Sequence, residues 1–137
     1  SNIINDLITG GTDKALSAEQ GKVIKALVDG LGIASGSNAN GNYVKYPDGT
    51  MICYGIKSYS AMSFYPTGNV FFNSLGTIAF PATFIDNPRI ATSIEFGNIG
   101  AMQVGAVTTT SFAGSVLSAE ATQRAPIVRY IAIGRYM

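Results

Sequence analysis

Histidine and tryptophan are absent from this 137-residue sequence, cysteine occurs once, and Asp, Glu, Lys and Arg together make up only 12%. Each scarcity excludes something. Without histidine, the commonest general base and the usual transition-metal ligand are missing, so Ser-His-Asp and Cys-His nucleophile systems are ruled out. The single cysteine, Cys53, can neither close an intramolecular disulfide nor build a thiolate metal cluster. It lies in the apolar run Met51-Ile52-Cys53-Tyr54, where burial as a small hydrophobe is expected. Nine Lys and Arg stand against eight Asp and Glu, without runs. They form no basic stripe that would neutralise phosphates or lipid headgroups, so neither nucleic acid nor a membrane surface is an expected partner. No apolar stretch approaches the roughly 20 residues that span a bilayer, and the N-terminal residues lack the pattern of a signal peptide. Gly10-Gly11-Thr12-Asp13 lacks the lysine and spacing of a nucleotide cradle and reads as a turn. Glycosidases need only two carboxylates, and Asp48, Asp86, Glu95 and Glu120 are present, but Asp48 and Asp86 sit in turn contexts that account for them locally. No catalysis, cofactor or metal is expected.

Hydrophobic residues make up 47% of the chain, enough for one domain with its own core. With so few charges, much of the surface must be small and polar or covered, and self-association would cover it. The pattern changes near Gly36, from helical before to alternating after. The expected division is an N-terminal segment with a helix over 1–35, a linker over 36–41 and a β domain over 42–137. Ser17-Ala18-Glu19-Gln20 fits a capping box, which starts a helix. Gln20, Ile24, Leu27 and Leu31 then recur at coiled-coil spacing before Gly30 and Gly32 close the run. About two heptads are too few to be stable alone, so the helix needs partners: copies of itself or the following domain. The polar Gln20 at a seam position favours copies, as a device that sets register.

From residue 42 the signal is β. Asn42 to Tyr46 and Thr50 to Ile56 flank Pro47-Asp48-Gly49, which predicts a bulged hairpin. Val44, Tyr46, Ile52 and Tyr54 should share one face, with Lys45, Met51 and Cys53 on the other. Further strands are expected over 77–80, 89–96, 102–110, 111–117 and 127–136, giving six or seven short strands and an antiparallel sandwich. In the last of these, Ile131 and Ile133 oppose Val128, Tyr130 and Tyr136, so both faces should be covered, either in a central strand or against a neighbouring subunit.

The stretch from Ser58 to Ser74 is longer than most hairpin loops, and long loops are often functional. Tyr59, Tyr65, Asn69 and Asn73 offer aromatic faces and amides suited to a sugar, whereas Phe64, Phe71 and Phe72 can fold the loop onto the core. Glu95 and Gln103, from an outward strand face, are candidates for the second wall of a groove between neighbours.

The run from Asp6 through Ala15-Leu16-Ser17 to Val23 resembles a segment of phage tail-fibre and minor structural proteins that precedes a short trimeric coiled coil. Gly41-Asn42-Tyr43-Val44-Lys45-Tyr46-Pro47-Asp48-Gly49 with Thr50 to Gly55 is similar to the opening hairpin of tail-fibre tip domains with an H-type lectin-like fold. Phe80-Pro81-Ala82-Thr83-Phe84 and Tyr130-Ile131-Ala132-Ile133-Gly134-Arg135-Tyr136 resemble that family's Phe-Pro signature and closing strand. The resemblance implies an all-β, six-stranded antiparallel β-sandwich with a trimeric coiled-coil helix, seamed by Gln20, Ile24, Leu27 and Leu31. It also implies a homotrimer at the distal end of a virion's tail fibre, the chain being a piece of a longer one. Its expected partner is a bacterial surface polysaccharide or cell-wall polymer; a structural cap that binds nothing is the alternative. No binding residue carries over, since animal lectins of this fold hold sugar partly through a tryptophan and a histidine.

Overall fold

The computed structural model describes residues 3, 4 and 15–137, which fall into two compact units dividing between Ile33 and Ala34. The Gly10 to Asp13 turn and much of the fibre-like run from Asp6 lie outside the described residues.

In the first unit β1 (Ile3–Ile4) pairs in parallel with β2 (Ala15–Leu16), and α1 spans Ala18–Asp29. The helix begins where the capping pattern places it: the Ser17 side chain accepts from the Gln20 amide at 3.2 Å. It stops at Gly30, whose amide donates to the Ala26 carbonyl, so Leu31 lies beyond the last turn. The seam expected over four positions is therefore helical only at Gln20, Ile24 and Leu27. No helical residue is buried, and Val23, Ile24, Leu27 and Val28 are open to solvent. Two exposed ion pairs, Lys22 with Glu19 and Lys25 with Asp29, add only a few tenths of a kcal/mol each. Among the described residues of this unit, none buries the apolar side chains of the 12-residue helix.

The second unit is all β. It contains β3 (Ala34–Asn38), β4 (Gly41–Lys45), β5 (Thr50–Ser58), β6 (Tyr65–Thr67), β7 (Val70–Ala79), β8 (Arg89–Glu95), β9 (Gly100–Val107), β10 (Ser111–Ser118) and β11 (Ile127–Arg135). They form two antiparallel sheets, one ordered β3-β4-β5-β11-β8 and the other β6-β7-β10-β9. The residues expected as a linker, 36–41, are instead the end of β3 and its tight turn into β4, with Ser37 opposite Asn42. Gly, Ser and Asn in this stretch give no alternation, and the strand exists because β4 offers a ladder. The Pro47-Asp48-Gly49 hairpin forms as expected: Gly49 has φ +91° and the Asp48 carboxylate accepts from the Thr50 amide at 2.8 Å.

Alternate residues of both sheets point into one core. Met51, Cys53, Val128, Tyr130 and Ala132 come from one sheet, Leu75, Ile78, Phe112 and Val116 from the other, with Phe80 and Phe84 between strands. The rings of Phe112 and Tyr130 join the sheets with centroids 5.4 Å apart, and Phe80 stacks on Phe112 at 5.7 Å. The buried Tyr130 hydroxyl is satisfied by donating to the Asn40 carbonyl at 2.8 Å.

This burial has a pH consequence. Desolvation pushes the Cys53 thiol up to about 11 and the Tyr130 phenol up to about 12. Both are acids held neutral by the fold, so the unfolded chain releases these protons first as pH rises. Their contribution is complete below the ordinary thiol range and is lost as pH climbs from about 9 through 12. The melting temperature should therefore hold steady from pH 6 to 8 and fall above pH 9. A Cys53→Ala variant should show a shallower alkaline decline, measured by thermal scans at fixed protein concentration.

Candidate functional site

Strand register fixes the two ends of the β unit. At one end lie Ala34, the 47–49 turn and Arg135: Ala34 pairs with Lys45, Lys45 with Met51, and Met51 with Gly134. At the opposite end Ser58 pairs with Ile127 and Ile127 with Glu95. In the other sheet Phe71 and Gly100 both pair with Ser118 at that same end. The connections 59–64, 68–69, 96–99 and 119–126 therefore cluster at the end away from the point where the chain enters the unit.

Those connections are tied down. Tyr59 donates its amide to Pro126, Met62 and Arg124 exchange backbone bonds, and Gln123 donates to the Ser63 hydroxyl at 3.0 Å. Asn98 donates to the Ser118 hydroxyl at 2.9 Å while its own oxygen accepts from the Ile99 amide. Gly68 and Asn69 make a two-residue turn between β6 and β7. Gly68 has φ +62° and Asn69 does not have positive φ, the pattern of a II′ hairpin turn. The stretch expected as a long loop thus contains a short edge hairpin. The sequence signal for it was the Gly-Asn pair, masked by Pro66 in a three-residue strand.

On the outward face of the four-stranded sheet, Tyr65 pairs with Phe72, Phe72 with Leu117, and Leu117 with Ala101, making one row across all four strands. Tyr65 is 63% exposed and Ile99, at the tip of the 96–99 turn, 81%. Beside the row is a shallow hollow of about 350 Å³ lined by Val70, Ile99, Ala101 and Leu117. Two aromatic faces, an aliphatic floor and the amide of Asn69 at the adjoining turn suit the C–H face and hydroxyls of a sugar.

The residues expected to bind sort differently. Tyr65 and Asn69 lie at this platform, and Gln103 lies one row away on the same face at the opposite edge strand, opposite Ser115. Across three strand spacings, roughly 14 Å, Gln103 and Tyr65 cannot grip one sugar ring. Tyr59 packs against the core with its hydroxyl buried and its proton held more tightly by desolvation. Asn73 points inward and donates to the Ser63 carbonyl at 2.7 Å. Glu95 is on the outward face of the other sheet, paired with Arg129 at 3.0 Å. Phe64 and Phe71 do fold onto the core, whereas Phe72 faces out. Phe72, Val70, Leu117 and Ile99 are the platform residues that sequence reasoning missed, because only the pairing of distant strands places them side by side.

Among the described residues no group of three or more His, Cys, Asp or Glu could hold a metal ion.

Residues 3–33 match the family of phage tail fiber repeats. The fold is similar to that of a P. aeruginosa R1 pyocin fibre, with a TM-score of 0.58 and 17% identity over 96% of this chain and 34% of that one. It is also similar to an N-truncated R1-type pyocin tail fibre, with a TM-score of 0.56 and 16% identity over 88% of this chain and 98% of that one. The chain thus spans about a third of the length of the first of these fibres. No curated protein matches it. Together these matches show an N-terminal segment similar to phage tail fiber repeats and a fold similar to that of pyocin tail fibres.

Proposed function

We propose that this chain is the receptor-binding tip of a tail fibre, a homotrimer that attaches a virion to a bacterial surface polysaccharide or cell-wall polymer and acts by binding, without catalysis. The observation that carries this reading is the outward-facing row of exposed Tyr65 and half-buried Phe72 and Leu117 with its hollow, at the end of the β unit opposite Ala34. That end lies away from Ala34, where the chain enters the unit. The two sheets would form a sandwich of the H-type lectin-like kind, and α1 would supply a short parallel coiled coil through Gln20, Ile24 and Leu27. Weak single sites suffice, because three tips on one fibre bind together.

Adsorption of the labelled chain to a panel of bacterial cells tests the proposal. Binding to some strains, competed by their purified surface polymer, is expected. Tyr65→Ala should weaken single-site affinity by on the order of 1 kcal/mol, about five-fold, and adsorption by more through avidity. Adsorption unaltered in trimeric Tyr65→Ala and Asn69→Ala variants would remove the platform from the role. Absence of adsorption throughout would leave a structural cap that trimerises and ends the fibre. Release of oligosaccharide from envelope would instead show a depolymerase.

A further inference from the structure

The five-stranded sheet carries a hollow of its own, on the face turned away from the core. The β3–β4 turn stops short of the end of the sheet: the ladder between β4 and β5 closes with Asn42 opposite Tyr54, while β5 and β11 run on together to Ser58 and Ile127. Where β4 ends, a step of about 510 Å³ opens beside the longer strands, with Asn38, Asn42, Tyr54, Ile56 and Arg129 around it. That volume is within the range of small-molecule pockets. Side chains alternate along a strand, so Tyr54, Ile56, Arg129 and Ile131 turn away from the core that takes Cys53, Val128 and Tyr130. The register sets Tyr54 between Asn42 and Ile131, and Arg129 between Ile56 and Ser93 one row along. β11 is an inner strand, as its pattern allows, yet its second face is open: Ile131 is 41% exposed.

The step has polar groups to offer. Among the described residues the Asn42 amide and the Tyr54 hydroxyl have no partner, and both residues are exposed. Asn38, by contrast, is engaged. Its amide donates to the Pro81 carbonyl at 2.8 Å and its oxygen accepts from the Asn40 amide at 2.9 Å, which fixes the turn as a wall. Arg129 reaches the Glu95 carboxylate through Nη1 alone, at 3.0 Å. The charge of the guanidinium is therefore balanced while its other N–H groups stay available.

We infer that this step is a saccharide site, separate from the Tyr65 platform on the other sheet, and that it takes an uncharged sugar unit with neighbouring hydroxyls. The Tyr54 ring and Ile56 give the C–H face of a sugar an apolar bed. Asn42 can donate and accept, Tyr54 likewise, and the planar fork of Arg129 donates to two adjacent oxygens at once. A phosphate or carboxylate would meet a cation already neutralised by Glu95, and no other charged residue lines the step. An apolar partner would bury Asn42 and the Tyr54 hydroxyl without hydrogen bonds, which is unfavourable for each. Hydroxyls satisfy both. The inference goes beyond the platform reading and does not depend on it.

Titration of the wild-type chain, labelled at its isoleucine δ1-methyl groups for NMR, tests the site and separates it from the platform, because Ile56 lines the step and Ile99 the platform hollow. The probes are the methyl glycosides of glucose, galactose, mannose and N-acetylglucosamine, with glucuronate and glycerol phosphate as charged comparisons. At least one neutral glycoside should move the Ile56 methyl resonance saturably at tens of millimolar or below. Asn42→Ala and Arg129→Gln should each weaken that response by about five-fold, the effect of losing one hydrogen bond. An Ile56 resonance unmoved by every neutral glycoside would overturn the inference, as would one moved by glucuronate or glycerol phosphate only. So would an unchanged response in both variants. Ile99 reports on the platform alone, so a response there without one at Ile56 would keep the proposed function and remove this site. If a variant does not fold, its methyl spectrum shows it, and the wild-type titration decides.

Discussion

Phe112→Ala is expected to lower the melting temperature of the β unit by on the order of 15 °C. Phe112 is fully buried on β10, with Phe80 stacked on it and Tyr130 of the other sheet against its edge. Removing a buried phenyl ring costs about 3 to 5 kcal/mol, part lost transfer and part cavity, and about 1 kcal/mol shifts the melting point of a domain this size by several degrees. The surrounding rings cannot collapse into the gap without parting the two sheets, because Tyr130 is also held by its bond to Asn40. Ile99→Ala, at an exposed turn tip, should change stability by no more than about 0.5 kcal/mol. Thermal scans must hold protein concentration fixed, since the proposed assembly would add to apparent stability. Equal melting points for the two variants would mean that the aromatic cluster is not the junction between sheets.

A second large effect is expected from Gly100→Val. The first residue of β9 runs so close to β10 that a Cβ there would meet the Leu117 carbonyl and the Phe96 ring. Neither can yield cheaply: the first is backbone within the β9–β10 ladder, and the second is a buried ring. The expected outcome is loss of the β9–β10 pairing near Ser118, a melting point lower by 10 °C or more on the scale of several kcal/mol for overpacking, and loss of cell adsorption, because Leu117 and Ala101 floor the platform. Gly68→Ala is the informative contrast. Its added Cβ meets nothing within 4 Å, so the cost is only that of a positive φ at a hairpin turn, about 1 kcal/mol. A Gly100→Val variant that melts and adsorbs like Gly68→Ala would show that the close approach of β9 to β10 is not required.

On the proposed reading the platform would also set specificity. Tyr65 stands on an edge strand three residues long and Asn69 on the turn that follows. Changes in the turn would alter the surface next to Val70 at the edge of the hollow, while Leu117 and Ala101 on β10 and β9 stay put. Rigid strands that carry adaptable turns are a common arrangement for binding surfaces. Tyr59 and Asn73, by contrast, brace the 59–64 connection from inside, so their substitution should register in stability before it registers in adsorption.

Several features were legible in the residues alone, and they are those set within a few positions along the chain. The Ser17 cap, the Gly49 turn, the burial of Cys53 and the strands from β8 to β11 follow from capping chemistry, a positive φ and two-residue alternation, all of which are local. The missing histidine removed the commonest catalytic systems without any structure. Folding decided what depends on a partner strand. β3 and β6 have too few alternating apolar residues to announce themselves, and they exist because β4 and β7 present unpaired amides and carbonyls that a neighbouring strand satisfies. Burial separated Tyr59 from Tyr65, two tyrosines six positions apart, by packing one on the core and leaving the other on an edge. Likewise, only the ladder running from Phe72 to Leu117 to Ala101 could make a platform from residues up to 45 positions apart, since side-chain periodicity says which face a residue takes and never which strand lies beside it.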